Sequence, residues 1–342
     1  MTGIERMTFS KAINAGLRRC LETDPKVILM GEDIGTLGGV FRVTDGLQKD
    51  FGADRVVDTP LAESGIVGTA IGLALRGYRP VLEIQFDGFI FPAFNQITTQ
   101  LAKLSYRSRG KLRAPVVIRV PYGGNIGAIE HHSESPEVLF AHTAGLRVVS
   151  PASPADAFVM IQQAVASPDP VLFFEPKARY WDKGEVDLSV TVTAADDDDA
   201  GTTSTAVVGL DEARVARAGV DLTIAAYGAT VSTALKAAES AASEGVSVEV
   251  IDLRSISPLD CDTLVTSVRK TGRCVVVHEA PVFYGTGGEI AARVTEACFY
   301  QLQAPVLRVG GFHTPYPVNK LEAAYLPGMD RILDAVDRAM AY

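Results

Sequence analysis

The sequence predicts an α/β protein built as two domains. Three observations predict it. Strand-like apolar runs alternate with helical stretches over the whole chain, the runs lack strict polar alternation, and an acidic tract interrupts the pattern past the midpoint. Val/Ile/Leu runs without alternation suit strands buried on both faces. Strands that alternate with helices imply a mostly parallel sheet wrapped by helices. A length of 342 residues favours two cores over one.

The elements follow in order. The strand runs of the first half are VILMGED, RVVDTP, RPVLEIQF, APVVIRVP, LRVVSP and PVLFFEP. Between them the spacing of apolar residues predicts helices over Ser10–Leu21, Glu63–Leu75, Pro92–Leu104 and Pro154–Ala166. Composition then shifts over Trp181–Gly209, where the acidic run Asp196–Asp199 precedes GTTST. Such a run marks a solvated loop or linker. Alternation restarts with DLTIAAYG, a helix over Ser232–Glu244, VSVEVIDLR, a helix over Leu259–Lys270 and RCVVVHEA. A helix over Gly287–Ala297, APVLRVGG and a last helix over Asp330–Ala341 complete it. The expected division is 1–180, a linker at 181–209, and a smaller α/β domain at 210–342.

Charge and motif content exclude several classes. Lys+Arg 32 against Asp+Glu 41 gives a net charge of −9, the wrong sign for a nucleic-acid surface. Cys20, Cys261, Cys274 and Cys298 form no CxxC pair, so neither a zinc site nor a disulfide framework is expected. The opening MTGIERMTFSKAINAGL has no apolar signal core, and no apolar stretch reaches the ~20 residues of a membrane span. A cytoplasmic location without membrane contact is expected. There is no GxGxxG after a strand, no Walker A loop and no GDG. The missing dinucleotide fingerprint disfavours a nicotinamide dehydrogenase.

DTPLAESGIVGTAIGLAL carries the first chemical signal. A strand ends near Asp58–Thr59, and Glu63 falls in the first turn of the next helix. Gly65, Gly68 and Gly72 share a face of that helix. Each costs roughly 1 kcal/mol relative to alanine in a helix interior, so another backbone is expected to pack closely there. Glu63 reads either as an acid complementing the helix dipole or as a carboxylate at the ligand-binding edge of a parallel sheet. The loop PYGGNIGAIEHHS offers tight glycine turns before a histidine pair. The basic stretch Lys103–Arg113 reads as a solvated turn or, alternatively, a face for an acidic partner.

DTPLAESGIVG, EIQFDGFIFPAFNQI, HHSESPE, HTAGLRVVSPASPADA, FFEPK, EVIDLRSISPLD and TGRCVVVHEAP, in this order, resemble the beta chain of the decarboxylating component of 2-oxo acid dehydrogenase complexes. The resemblance runs from about Phe9 to Tyr342 and is greatest to branched-chain members, through EIQF, FPAF and VIDLR. It implies a transketolase-like fold, with a thiamine pyrimidine-binding domain and a transketolase C-terminal domain. It also implies an obligate alpha chain that holds the cofactor's diphosphate and Mg²⁺, in a tetramer of two alpha and two beta chains. The missing GDG fits that division.

The resemblance implies a role for each candidate residue. Glu63 matches the glutamate that hydrogen-bonds N1′ of thiamine diphosphate; sharing a proton there favours the imine that activates the thiazolium, whose ring accepts the electrons when CO₂ leaves. Phe89 matches an aromatic stacked on the aminopyrimidine, and Gln85 a polar contact near it. His132 matches a histidine at the mouth of the site that assists acyl transfer to lipoyl-lysine, and it is expected to stand in the glycine loop rather than beside the pyrimidine pocket. His131 is its neighbour, and His278 reads as structural. Carbonyls of Val116, Ala164, Val165, Ser167 and Asp169 would cradle a potassium ion, with Ser167 standing where some relatives have an acid. The implied partners are the lipoyl acyltransferase core, dihydrolipoamide dehydrogenase and a small 2-oxo acid. The expected function is thus a branched-chain 2-oxo acid dehydrogenase beta subunit. A pyruvate dehydrogenase beta subunit and a non-catalytic subunit docking the acyltransferase core are the alternatives. Glu63, Phe89 and His132 together speak against the last.

Overall fold

The computed structural model describes residues 3–194 and 207–342. In chain order the strands are β1 Ile4–Thr8, β2 Val27–Gly31, β3 Val56–Asp58, β4 Arg79–Glu83, β5 Val117–Tyr122, β6 Arg147–Val149 and β7 Val171–Pro176. They continue with β8 Lys183–Asp187, β9 Arg214–Arg217, β10 Leu222–Ala226, β11 Val248–Asp252, β12 Ser255–Ser257, β13 Cys274–Pro281 and β14 Leu307–Gly311. The helices are α1 Phe9–Thr23, α2 Leu47–Phe51, α3 Glu63–Leu75, α4 Leu104–Arg107, α5 Glu137–Ala141 and α6 Pro154–Ala166. They end with α7 Thr230–Ser243, α8 Cys261–Thr271, α9 Thr286–Cys298, α10 Asn319–Tyr325 and α11 Met329–Met340.

The larger sheet runs β12-β6-β7-β5-β4-β2-β3, parallel except for β12 against β6. Successive residues go to opposite cores. Leu29, Val81, Val117 and Phe173 face one cluster, and Met30, Leu82, Ile118 and Leu172 face the other. That is why these strands read as continuous apolar runs; each Leu or Val so buried stabilises the fold by about 1.5–3 kcal/mol. The second sheet runs β14-β13-β10-β11-β9, with only β9 antiparallel. Helices α7 and α11 cover one of its faces, through Val231, Ala234, Ile332 and Val336.

Local signals explain the helix ends. Thr8 caps α1 by accepting from the Lys11 N–H, and Ser153 caps α6 ahead of Pro154 by accepting from the Asp156 N–H. Asp260 caps α8, which stops at Gly272 in the left-handed conformation (φ 70°).

Three elements depart from expectation. The helix expected over Pro92–Leu104 is instead a 3₁₀ segment Asp87–Ala93, a wide π-type turn Gln96–Leu101 and then α4. Pro92, where that helix was expected to start, instead falls inside the 3₁₀ segment. Within the expected 181–209 linker, Lys183–Asp187 forms β8 antiparallel to β1, tying the chain's start to the end of the first domain. Asp196–Asp199 and the following GTTST lie outside the described residues. Finally, β12 follows strands of the second sheet yet pairs with β6 of the first. Further links between the halves are Tyr227 Oη to Glu137 Oε1 (2.6 Å) and Arg214 to Asp156 (2.7 Å). Among the described residues, no helix is long and apolar enough to cross a membrane.

Candidate active site

Because β2, β3, β4, β5 and β7 are parallel, their carboxyl ends share one edge. Glu32 and Asp33 follow β2, Glu63 follows β3, and Gln85 to Phe89 follow β4. The glycine loop with His131 and His132 follows β5, and Lys177 follows β7. Ligands of parallel sheets gather at this edge.

A buried arginine holds the strands in place beneath it. Arg119 of β5 donates from Nη1 to Glu83 of β4 at 2.6 Å, and from Nε and Nη2 to Glu175 of β7 at 2.6 and 3.0 Å. Tyr180 completes the set with a 2.6 Å bond to Glu175. Such a two-pronged guanidinium–carboxylate pair fixes geometry as well as charge.

Glu63 is the first residue of α3 and is 8% exposed. The N-terminal end of a helix favours a carboxylate. Glu32 lies close enough for the charge of Glu63 to act on it. Burial first, then Glu63 and Asp33, push the Glu32 carboxyl above the usual range, and a bond from the Ala62 backbone opposes them. Glu32 Oε1 is buried without a hydrogen-bond partner. The edge therefore holds two adjacent acids with one buried oxygen unspent. Among the described residues, the glycine face of α3 meets no other backbone: open space faces Gly68 and Gly72, and Leu61 beside it is 80% exposed. The expected close packing is not found among them, because the helix turns that face outward.

Gln85 donates from Nε2 to Asp33 Oδ2 at 3.3 Å, so it belongs to the same lip. The 3₁₀ segment carrying Phe89 packs between α3 and the Glu130–His132 turn. Phe89 stands edge-on to Phe86 (centroids 5.8 Å) and to His132 (5.2 Å), and Phe86 lies 4.0 Å from the His132 ring. Contrary to expectation, His132 does not stand apart from Phe89: the loop folds back so that the two rings lie edge to face. A Cβ on Gly88 would come within 2.6 Å of the His131 carbonyl oxygen, so only glycine allows that approach. His131 itself points outward, 3.8 Å from Glu130.

Burial first, then the charges of Lys177 and His131, lower the His132 pKa, and its Nδ1 is buried without a partner. The fully buried pair Lys177–Asp87 (2.7 Å) ties the Phe89 segment to the end of β7. The other Asp87 oxygen accepts the Glu134 N–H at 2.9 Å. Burial pushes the Asp87 carboxyl up to about 6 against the pull of Lys177. The sequence reading missed Glu32, Asp87 and Lys177. The signals were an acid straight after the VILMG strand, and the Asp and Lys inside EIQFD and FFEPK.

His278 is elsewhere. It is fully buried in β13, with Nδ1 2.9 Å from the Ala280 carbonyl oxygen, and burial takes its pKa down to about 4.

The five expected potassium ligands lie at the opposite, amino edge of the sheet, about 20 Å from the acids across a six-residue strand. Their carbonyls already have donors. Val116 O accepts from the Val171 N–H (2.9 Å), Ala164 O from the Ser167 N–H (3.3 Å) and Asp169 O from Ser167 Oγ (3.0 Å). The Arg79 guanidinium bonds the carbonyls of Val165 (2.8 Å) and Ser167 (3.3 Å). The group does not fit there.

Comparison with known proteins agrees with this geometry. Residues 5–182 match the family described as "Transketolase, pyrimidine binding domain", and residues 211–332 match "Transketolase, C-terminal domain". The chain is 59% identical over 339 residues to a "Pyruvate dehydrogenase E1 component subunit beta" of Leifsonia xyli, covering 99% of this chain and 96% of that one. It is 50% identical over 337 residues to a "3-methyl-2-oxobutanoate dehydrogenase subunit beta" of Mycobacterium tuberculosis, covering 98% and 92%. It is 43% identical over 340 residues to a "2-oxoisovalerate dehydrogenase subunit beta" of Pseudomonas aeruginosa, covering 98% and 96%. A solved split gene transketolase, 22% identical, superposes with a TM-score of 0.75 over 98% of each chain, a likeness of fold.

Proposed function

This chain belongs to the E1 beta subunits of 2-oxo acid dehydrogenases, and on that premise we propose that it supplies the pyrimidine half of a thiamine diphosphate site acting on branched 2-oxo acids. The single observation that carries the split-site reading is the carboxyl edge of the larger sheet. It has a 92%-buried acid, Glu63, at a helix start, and an aromatic, Phe89, on the adjoining segment. An acid beside an aromatic face fits an aminopyrimidine, whose N1′ accepts a shared proton and whose ring stacks. When bound, thiamine diphosphate supplies the carbon nucleophile and the electron sink.

Glu63 holds a proton at N1′; burial, then the charge of Glu63, raises the pKa of the neighbouring Glu32 carboxyl. Phe89 fixes the ring's plane. His132, kept neutral by burial and by the charge of Lys177, is able to accept or deliver a proton where the acyl group leaves for lipoyl-lysine. The alpha chain and its Mg²⁺ hold the diphosphate in this reading. The outward glycine face of α3 supports such a partner, since a close-packing helix surface with no occupant among the described residues fits another chain's backbone.

Branched substrates are favoured by the aromatic lip. Phe41, Phe86 and Phe89 pack edge to face beside His132, whereas Phe94 packs on Phe140 in the core and does not reach the lip. The second reading, pyruvate, is favoured by the name of the 59% identical relative. Each buried methylene is worth roughly 10–200-fold in discrimination. The test is kcat/KM for 3-methyl-2-oxobutanoate and pyruvate with the alpha chain present. A higher value for the branched acid is expected, and a higher value for pyruvate selects the second reading.

A further inference from the structure

We infer that the Arg79 guanidinium is the resident cation of the turn that ends α6, so that this protein neither needs nor holds potassium there. The sequence creates the demand. Helix α6 ends at Ala166, and Ser167-Pro168-Asp169-Pro170 follows, two of whose four residues have no N–H to offer. A helix C-terminus presents orphan carbonyls and the negative end of the dipole, so it attracts donors and positive charge.

Arg79 meets that demand from the first position of β4. Its backbone is fixed by a 2.9 Å bond to the Lys26 carbonyl and by register opposite Val27. Its side chain therefore leaves the sheet at the amino edge, where α6 ends. One nitrogen, Nη1, lies 2.8 Å from Val165 O, 3.3 Å from Ala166 O and 3.3 Å from Ser167 O. A single positively charged atom facing three carbonyl oxygens is the arrangement a bound alkali cation would have. Arginine keeps its charge across the whole working pH range.

The carboxylates around the turn are already paired. Arg79 Nε is 3.6 Å from Asp24 Oδ2. The Asp169 carboxylate lies 3.0 Å from Arg113 and 3.8 Å from Arg147, and Arg147 also pairs with Asp211. Each nearby carboxylate thus already has an arginine. A guanidinium tethered by a sheet strand has lost its translational freedom on folding, so it outcompetes a free ion for the same oxygens. The inference does not depend on the substrate or on the thiamine reading.

The experiment is thermal melting of the full chain in potassium, sodium and choline chloride at equal ionic strength, for the natural protein, Arg79→Ala and Arg79→Lys. A specifically bound ion at about a hundred times its Kd raises the midpoint by about 3 °C or more in a chain of this size. The natural protein is expected to melt within about 1 °C in all three salts, and a larger rise specific to potassium would overturn the inference. In choline, Arg79→Ala is expected to melt several degrees lower, with Arg79→Lys keeping more than half of the difference. Arg79→Ala melting with the natural protein would equally overturn it. Should Arg79→Ala fail to fold, the salt series on the natural protein still decides.

Discussion

The molecule holds two mostly parallel sheets, each with a histidine near its carboxyl edge, and the two edges are unlike. At the first, His132 rests on Phe86 and Phe89 with its buried Nδ1 unpaired. At the second, His278 spends Nδ1 on the Ala280 carbonyl, and its Nε2 is buried without a partner. Gly285, Gly287 and Gly310 crowd its ring so closely that a Cβ on any of them would lie 2.7–3.0 Å from it. Burial lowers both imidazoles. The difference is access: the His132 ring is only partly buried beside its aromatic neighbours, and the His278 ring is fully enclosed. One layered architecture thus yields the edge we propose to be reactive and a structural one, according to what the loops bring.

The largest expected effect sharpens that contrast. Glu63→Gln keeps shape and hydrogen bonding but cannot share a proton with N1′. Turnover of the alpha–beta enzyme should fall by about 10²–10⁴-fold, the range of general acid–base assistance, while the melting midpoint holds. Near-normal turnover by a folded variant removes Glu63 from the chemistry.

Lys177→Met tests how far the reactive edge depends on its buried ion pair. Removing the cation strands Asp87 in a fully buried position, which costs about 3–5 kcal/mol. Denaturant titration reads this directly. A loss under 1 kcal/mol would mean that the pair does not fasten the Phe89 segment to the end of β7.

The structural edge is tested by acid. Burial holds the folded-state pKa of His278 near 4, down from 6.5. Its contribution is therefore fully present above pH 6.5 and is lost as pH falls toward 4. Linkage gives a loss of about 2 kcal/mol between pH 7 and pH 5. His278→Gln should lack that component while its turnover stays measurable. Equal acid sensitivity in both proteins would break the contrast between the edges.

The smallest effect separates packing from proton transfer at the reactive edge. His132→Phe retains a ring against Phe86 and Phe89 but has no ring nitrogen. Acylation of a lipoyl domain should fall about 10-fold or more, with cofactor affinity nearly unchanged. A matched fall in turnover with an artificial electron acceptor would assign His132 to the first half-reaction as well.

Much of the larger sheet was legible because its strands are buried on both faces, so Val27 to Gly31 or Val171 to Pro176 cannot be mistaken for anything amphipathic. Glu63 was legible for a related reason: a strand end, a turn and a glycine-bearing helix start are local features. What escaped was set by distant partners. The start of β1 gives no hint that Ile4–Thr8 will pair with Lys183–Asp187. Nothing near Ser255 says that it will cross to the other sheet. His132 seemed to stand in a loop of its own because its contact with Phe89 depends on Asp87, Lys177 and Gly88, residues some 45 positions away on either side. Arg79 looked like an ordinary strand start; only the register that carries it to the end of α6 gives it a role.

The central claim is that this chain carries half of a cofactor site. Calorimetric titration of thiamine diphosphate with Mg²⁺ into the chain alone tests it most directly. The diphosphate, which makes the charge-assisted contacts, is assigned to another chain. The expected result is no saturable heat up to about millimolar cofactor, where binding free energy would be only about 4 kcal/mol. Stoichiometric binding at micromolar affinity by the lone chain would contradict it.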